Sequence, residues 1–247
     1  MSERKELFER LYLKTKIDDP EYTQIIKEFI NNEILPHISL TDKEIMLAVL
    51  STTIANQSKE LYQDILPEAL KILTPVETKE IIYQSTVYIG LAKSYEFLEV
   101  TNNYLKQENI PLPLESQKTV SYEDRLQTGY DLQVRNFTKE FIDTSIENTP
   151  DNQKYIWDLI SSFAYGDFYT RSGLNDKERE LISFTFILSL RGCENQLKIH
   201  TIGNIKIGND KKKLTDTISI LIPFIGFPRM HNALAIINQI NEEKGDI

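Results

Sequence analysis

The sequence of 247 residues contains a single cysteine, Cys193, which excludes an intrachain disulfide and any metal site built from cysteines alone. Only nine glycines and nine prolines are present, so few positions interrupt long helices. No hydrophobic run approaches the roughly 20 residues of a membrane-spanning helix. The 28 basic and 37 acidic residues give a formal net charge of −9, which is unfavourable for binding nucleic acid. We therefore expect neither nucleic acid nor a membrane as a partner.

The lone cysteine and the polar start of the chain both bear on its location. Residues 1–6 lead directly into an amphipathic pattern and lack the apolar core of a secretory signal. A chain without disulfides suits a reducing compartment. We therefore expect a cytoplasmic protein, and its length allows one large domain or two small ones.

Apolar residues recur with helical spacing along most of the chain. Thr41 with Glu44 three residues later is a helix-start pattern, and Thr74 followed by Pro75 is another. No segment sustains the period of two that a half-buried strand requires. The sequence predicts an all-α protein with two helical series, separated by a polar, proline-containing linker at residues 106–121.

The two helical series share sequence features at a nearly constant spacing. The segment Leu-Thr-Asp-Lys-Glu at residues 40–44 resembles Leu-Asn-Asp-Lys-Glu at 174–178. Tyr-Ile-Gly at 88–90 resembles Phe-Ile-Gly at 224–226. We predict an internal duplication with pseudo-two-fold symmetry. Residues 1–105 form a degenerate first unit, and residues 122–247 form a second unit that carries the site.

The candidate reactive groups are concentrated in this second unit. Glu180 lies in a very apolar helix, where partial desolvation suits a carboxylate to proton transfer. Gly192 ends that helix and places Cys193 in the first turn of the next, where the helix dipole favours a thiolate. His200 follows roughly 10 Å further along the helix at 1.5 Å per residue, so a Cys–His interaction needs a relay. We predict Cys193, His200 and Glu180 as catalytic residues.

Four motifs follow one another along the second unit, and together they resemble a known family. Residues 166–174 are similar to a Gly-Asp-x-x-x-Arg-x-Gly-Leu motif, and residues 177–181 to an Arg-Glu-Leu helix start. Residues 196–200 resemble a Leu-x-x-His segment, and residues 223–234 a closing Tyr-x-Gly-x-Pro and Asn-Ala-Leu pattern. In this order they resemble the carboxymuconolactone decarboxylase family, which includes the alkylhydroperoxidase D-like proteins.

The resemblance implies an all-helical fold whose units assemble into homo-oligomers, here a trimer or a dimer of duplicated chains. It implies a site between helices, without a cofactor, in which a His and a Glu transfer protons. The peroxidase branch of the family uses a Cys-x-x-Cys pair. Here Cys193 stands at the first position and Gln196 at the second, so a peroxidase would need an external thiol reductant. The decarboxylase branch needs no cysteine.

Four further residues are candidates for binding a small-molecule substrate: Arg171, Phe227, Pro228 and His231. Arg171 suits a carboxylate, with an ion pair to Asp167 or Glu180 as the alternative. Phe227 is a candidate for the core or the pocket wall. His231 is a candidate for a helix facing the pocket, with a surface or interface position as the alternative. We predict no metal site, since the two histidines and Glu180 lack the close helical spacing of a ligand set.

These residues are compatible with three functions. The first is a peroxiredoxin-like antioxidant oxidoreductase in which Cys193 reduces peroxide while His200 and Glu180 transfer protons. We favour it because the one cysteine stands where the family places its peroxidatic thiol. The second is a cofactor-free decarboxylase or isomerase of a small oxo-acid or lactone, carried by His200 and Glu180. The third is a non-catalytic oligomeric binding protein.

Overall fold

A computed structural model describes residues 17–240, and every regular element in this range is a helix. The α-helices are α1 (Pro20–Glu28), α2 (Asp42–Ala55), α3 (Lys59–Ala69), α4 (Pro75–Ile89), α5 (Leu91–Gln107), α6 (Arg125–Asn136), α7 (Lys139–Glu147), α8 (Tyr155–Leu159), α9 (Asp176–Ser189), α10 (Glu194–Lys206), α11 (Lys211–Ile225) and α12 (Phe227–Gln239). Helix α1 continues as a π-helix, Phe29–Ile34, and α8 continues as a second one, Ile160–Tyr169. The all-α prediction is confirmed.

Three of the longer helices begin with a capping box. The N-cap residues are Thr41 of α2, Thr74 of α4 and Asn175 of α9. In each, the N-cap side chain accepts from the N–H three residues later, and the Glu there binds the N-cap N–H. Lys43 then joins the boxes, since its Nζ lies 2.6 Å from Glu77 and 2.5 Å from Glu178. The starts of α2, α4 and α9 are thereby held together.

Helices α2 and α9 form the centre of the molecule and pack against each other. Every residue from Ile45 to Ala55 in α2 is buried, and so is every residue from Arg179 to Ser189 in α9. Helices that are apolar all round are expected to be surrounded by others. One pair of polar groups meets across the contact, since Thr52 Oγ1 and Ser189 Oγ lie 3.0 Å apart. Each fully buried Leu or Ile here contributes about 1.5–3 kcal/mol through removal from water.

The helices of the two halves follow the same order. Helices α2 to α5 and α9 to α12 each form a series in which the last two helices meet at a glycine. Gly90 has φ 79° and ψ 159°, and Gly226 has φ 76° and ψ 159°. A positive φ at both junctions explains why both positions are glycine. The repeated sequence motifs thus form matching elements, and an internal duplication stays a prediction.

The segment between α5 and α6 lies on the surface of the second half. The N–H of Ser172 donates to the carbonyl of Gln117 at 3.0 Å, and Thr119 Oγ1 donates to the carbonyl of Thr170 at 2.6 Å. The predicted linker is therefore fixed by hydrogen bonds along its second part.

A second, smaller core joins α6 and α7 to the π-helix Ile160–Tyr169. Gly129 of α6 faces this π-helix so closely that an added Cβ would lie 1.8 Å from the carbonyl oxygen of Ser161. This close approach brings α6 towards α9 and α10, where the candidate site lies. Between residues 17 and 240, no helix has both the length and the apolar character needed to cross a membrane.

Candidate functional site

Glu180 and His200 meet where α9 packs against α10. Glu180 is fully buried, and His200 is 9% exposed. Nδ1 of His200 lies 2.9 Å from Oε2 of Glu180. An ionised carboxylate only accepts hydrogen bonds, so this contact places a proton on Nδ1. A neutral His200 then carries its lone pair on Nε2.

Two asparagines and a glycine support this pair. Asn136 Nδ2 donates to Glu180 Oε1 at 3.2 Å. Asn204 Nδ2 donates to the main-chain oxygens of Glu180 and His200 at 2.9 and 2.7 Å, which fixes α9 against α10. Gly203 leaves space for the carboxylate, because a Cβ there would lie 3.3 Å from Oε2 of Glu180. Both partners are therefore held in one geometry.

Two aromatic rings enclose the imidazole of His200. The ring centroids of Tyr88 and Phe137 lie 5.8 and 5.7 Å from that of His200, and both rings meet it edge to face. Nε2 of His200 has no hydrogen-bond partner in residues 17–240, and 11% of the side chain remains accessible. The nitrogen that bears the lone pair is thus the one left without a hydrogen-bond partner in the described part of the chain.

A chain of hydroxyl groups runs from Tyr88 into the interior. The hydroxyl of Tyr88 is hydrogen-bonded to that of Tyr169, which is bonded in turn to Ser183 Oγ. Ser183 donates to the carbonyl of Arg179 at 2.8 Å and accepts from Gln84 Nε2 at 2.8 Å. With its own proton engaged, Ser183 accepts from Tyr169, and Tyr169 accepts from Tyr88.

The phenols of this chain stay protonated. Burial, followed by the negative charge of Glu180, raises the pKa of Tyr88 well above its usual value. Burial and the neighbouring Tyr88 likewise raise the pKa of Tyr169. Both groups therefore serve as hydrogen-bond donors at neutral pH.

A buried ion cluster lies further along the same interface. Glu80 of α4 binds Arg179 Nη2 at 3.0 Å and Arg171 Nε at 2.8 Å. Arg171 is therefore paired with Glu80 and with neither carboxylate expected from the sequence, and Asp167 pairs with Arg125 instead. Since its guanidinium already has a buried partner, Arg171 is engaged in holding the two halves together.

Cys193 lies apart from this pair. It is the N-cap of α10, as predicted, and its Sγ donates to the carbonyl of Arg191 at 3.6 Å. It lines a cavity of about 350 Å³ together with Arg191 and Arg229. Neither Glu180 nor His200 lines that cavity, so the structure does not bring the three predicted catalytic residues together.

The other three predicted substrate-binding residues lie on α12. Phe227 is 54% exposed and packs beside Phe29, at 6.3 Å between ring centroids. Pro228 lines the cavity that contains Cys193. His231 is exposed. None of the three makes a ring contact or hydrogen bond with His200, and no group of three potential metal-ligating side chains occurs in the described part of the chain.

Several residues around the pair were not predicted from the sequence: Tyr88, Asn136, Phe137, Gly203 and Asn204. The spacing of Asn204, four residues after His200 on one helix face, is a signal that was available. Tyr88 comes from the first half, so the structure places a residue of that half beside His200, while the location of the chemistry in the second half stays a prediction.

The comparison with known families bears on the segment that holds this pair. The model of the carboxymuconolactone decarboxylase family matches residues 158–239, which include Glu180, Cys193 and His200. Residues 158–239 belong to the carboxymuconolactone decarboxylase family. The family resemblance predicted from the motifs is thereby confirmed.

A curated member of this family is similar to one half of the chain. The 4-carboxymuconolactone decarboxylase of Acinetobacter baylyi (strain ATCC 33305 / BD413 / ADP1) is 25% identical over 123 residues. The match covers 50% of this chain and 91% of that protein. Nearly the whole decarboxylase thus corresponds to about half of this chain.

Proposed function

We propose that this protein is a cofactor-free enzyme that moves protons on a small lactone or oxo-acid, as a decarboxylase or isomerase, through His200 and Glu180. The observation that carries this proposal is the buried hydrogen bond from His200 Nδ1 to Glu180, which leaves Nε2 without a partner in residues 17–240 while 11% of the His200 side chain is accessible. The name of the similar Acinetobacter protein, a decarboxylase of a carboxylated lactone, supports the same class of reaction.

Glu180 has two roles in this scheme. It fixes the tautomer of His200 with the lone pair on Nε2, and its charge stabilises the imidazolium that forms when Nε2 takes a proton. In an isomerisation, Nε2 removes a proton from a carbon beside the carbonyl and returns it to another carbon. In a decarboxylation, the bond to the carboxylate breaks and CO₂ leaves. The electron pair of the broken bond enters the conjugated carbonyl. His200, which has first taken a proton from water on Nε2, donates this proton to the resulting carbon and returns to its neutral form.

Tyr88 supplies the hydrogen bond that an enolate oxygen needs. Its ring lies against His200, and its hydroxyl ends the chain through Tyr169 to Ser183. When the Ser183 hydroxyl turns from the Arg179 carbonyl and donates to Tyr169, the Tyr169 hydroxyl donates to Tyr88. The Tyr88 hydroxyl then donates to the enolate oxygen of the substrate. A donor aimed at developing negative charge typically accelerates a reaction about 10²- to 10³-fold.

Turnover by substituted proteins tests the proposal. We expect wild-type protein to release CO₂ from 4-carboxymuconolactone or from another member of a panel of small carboxylated lactones and oxo-acids. His200→Gln and Glu180→Gln each lower kcat, the former by about 10²-fold or more. Cys193→Ser, the matched control, leaves kcat unchanged. An inactive Cys193→Ser beside an active His200→Gln would contradict the proposal.

Reduction of peroxide by Cys193 is a second candidate, favoured by the surroundings of the thiol. Cys193 is half-buried at the start of α10 and shares its cavity with Arg191 and Arg229. Reactive thiolates occur in such positively charged, partly exposed surroundings. The thiolate would attack one peroxide oxygen, the O–O bond would break to release an alcohol, and two equivalents of an external thiol would reduce the sulfenic acid to thiol and water.

Peroxide consumption in the presence of an external dithiol separates the two candidates. If Cys193 carries the activity, Cys193→Ser abolishes it and His200→Gln retains part of it. Equal, slow consumption by wild-type protein and Cys193→Ser would remove this candidate.

A further inference from the structure

The cavity beside Cys193 has the form of a second ligand site. It measures about 350 Å³ and opens where α9 ends and α10 begins. Its wall includes the buried side chains of Leu188 and Leu197, and its lining also carries Arg191 and Arg229. We call this cavity the arginine pocket. Neither residue of the proposed proton-transfer pair lines it.

Arg229 is oriented by neutral groups and keeps part of its guanidinium free. Nη1 donates to Asn56 Oδ1 at 2.7 Å and to the carbonyl of Ser189. Nε and Nη2, the two nitrogens on one side of the guanidinium, have no partner in residues 17–240. That side of an Arg is the fork that binds a carboxylate with two parallel hydrogen bonds.

The positive charge of the arginine pocket is not balanced within the described chain. Burial, followed by the neighbouring charge of Arg191, lowers the pKa of Arg229, as expected of two cations that lie close together. Neither arginine forms an ion pair with a residue between 17 and 240. Glu194 also lines the pocket, but it is exposed and is not bonded to either arginine. Two cations therefore line the pocket with one exposed carboxylate and the side chain of Cys193.

A cavity beside Asn56, lined by residues of both halves, provides a contrast. It measures about 240 Å³, and Thr52, Asn56 and Ser58 are among its lining residues. Its lining contains no Lys, Arg, His, Asp or Glu. The uncompensated positive charge of the arginine pocket is therefore not shared by this neighbouring cavity.

We propose that the arginine pocket binds a small monocarboxylate with a short apolar body. The carboxylate accepts from Nε and Nη2 of Arg229, and Arg191 adds charge at the rim. The apolar body contacts Leu188 and Leu197. A volume of about 350 Å³ falls within the usual range for sites that bind small molecules, which combine an apolar wall with a few polar groups.

The single thiol of the full-length protein reports on this pocket. Hexanoate serves as the probe, and iodoacetamide, which is uncharged, alkylates Cys193. We expect saturating hexanoate to slow alkylation, whereas hexan-1-ol at the same concentration leaves the rate unchanged. By calorimetry, Arg229→Gln weakens hexanoate binding by about 10- to 100-fold, the range for loss of charged hydrogen bonds.

Two further variants make the test decisive. Arg191→Gln removes a side chain without bonds to residues 17–240, so this variant folds even if Arg229→Gln does not, and it weakens binding severalfold. Lys198→Gln removes one exposed charge from α10 outside the pocket and leaves the affinity unchanged.

Three results would overturn the proposal. One is a wild-type protein that does not bind hexanoate. Another is equal affinity in wild-type protein, Arg229→Gln and Arg191→Gln. The third is displacement of hexanoate by an equal concentration of sulfate, which would indicate a site for inorganic anions only. None of these results depends on whether the protein turns over a lactone or an oxo-acid.

Discussion

Substitution of Glu80 by Gln is expected to destabilise the fold strongly. The carboxylate is 2% exposed and binds Arg179, which is 1% exposed, at 3.0 Å. Removal of one partner of a buried ion pair leaves an uncompensated charge and costs about 3–5 kcal/mol. The second partner, Arg171, is 18% exposed and therefore adds less than about 1 kcal/mol. We expect Glu80→Gln to lose about 3–5 kcal/mol of the free energy of unfolding.

Urea unfolding measures this loss. With a denaturant dependence of roughly 2–3 kcal/mol per molar urea, the midpoint falls by about 1–2 M. Glu96→Gln is the matched control, because Glu96 pairs with Lys59 on the surface and its removal changes stability by less than about 1 kcal/mol. The double variant Glu80→Gln/Arg179→Met should recover part of the loss, since no buried charge is then left unpaired. A change below about 1 kcal/mol in Glu80→Gln would refute the reasoning.

Three further predictions concern the site and the helix starts. Gly203→Ala places a Cβ 2.8 Å from Phe137 and displaces the carboxylate of Glu180, so kcat falls about 10- to 100-fold. The Tm changes little, because the higher helix propensity of Ala offsets the cost of overpacking. Tyr88→Phe keeps the ring but removes the hydroxyl, which lowers kcat by about 10²-fold with KM nearly unchanged. Burial would raise the pKa of Glu77, but hydrogen bonds from Lys43 and the N-cap lower it below 4.5. A carboxylate whose pKa is lower in the folded than in the unfolded protein stabilises the fold at pH values above its unfolded pKa. The urea midpoint of the wild-type protein should therefore fall as the pH drops through and below about 4.5, and that of Glu77→Gln should fall by a smaller amount.

Each of these predictions has a control and a contradicting result. For Gly203, the control is Lys198→Ala on the exposed face of the same helix, and unchanged kcat in Gly203→Ala would show that the carboxylate position is not critical. For Tyr88, the control is Tyr130→Phe, whose hydroxyl binds Asp143. Wild-type activity in Tyr88→Phe would remove the hydroxyl chain from the mechanism. For Glu77, an identical pH dependence in the variant would contradict its lowered pKa.

Helix starts could be predicted from the sequence because their determinants are local. Thr41 and Thr74 each cap a helix through a Glu three residues later, as the pattern predicts. The helical rise also predicted that Cys193 and His200 do not interact directly, since both lie on α10. In each case the two groups concerned are within a few helical turns of one another in the chain.

The partners in the site could not be predicted because they depend on how helices cross. Glu180 and His200 were both identified, but their contact requires a particular angle between α9 and α10. Arg171 and Glu80 are 91 positions apart and come from different halves. The ring of Tyr88 reaches His200 only because α4 packs beside α9. Periodicity and caps carry no information on such contacts, so the contacts of the first half with the candidate site could not be predicted.

The tautomer of His200 tests the central claim most directly. The chain has three histidines, so the ¹⁵N signals of His200 can be assigned with a His200→Gln variant. We predict that neutral His200 carries its proton on Nδ1, with Nε2 unprotonated, and that Glu180→Gln shifts this balance. A neutral His200 protonated on Nε2, unchanged in Glu180→Gln, would contradict the assignment of Glu180 and His200 as the proton-transfer pair.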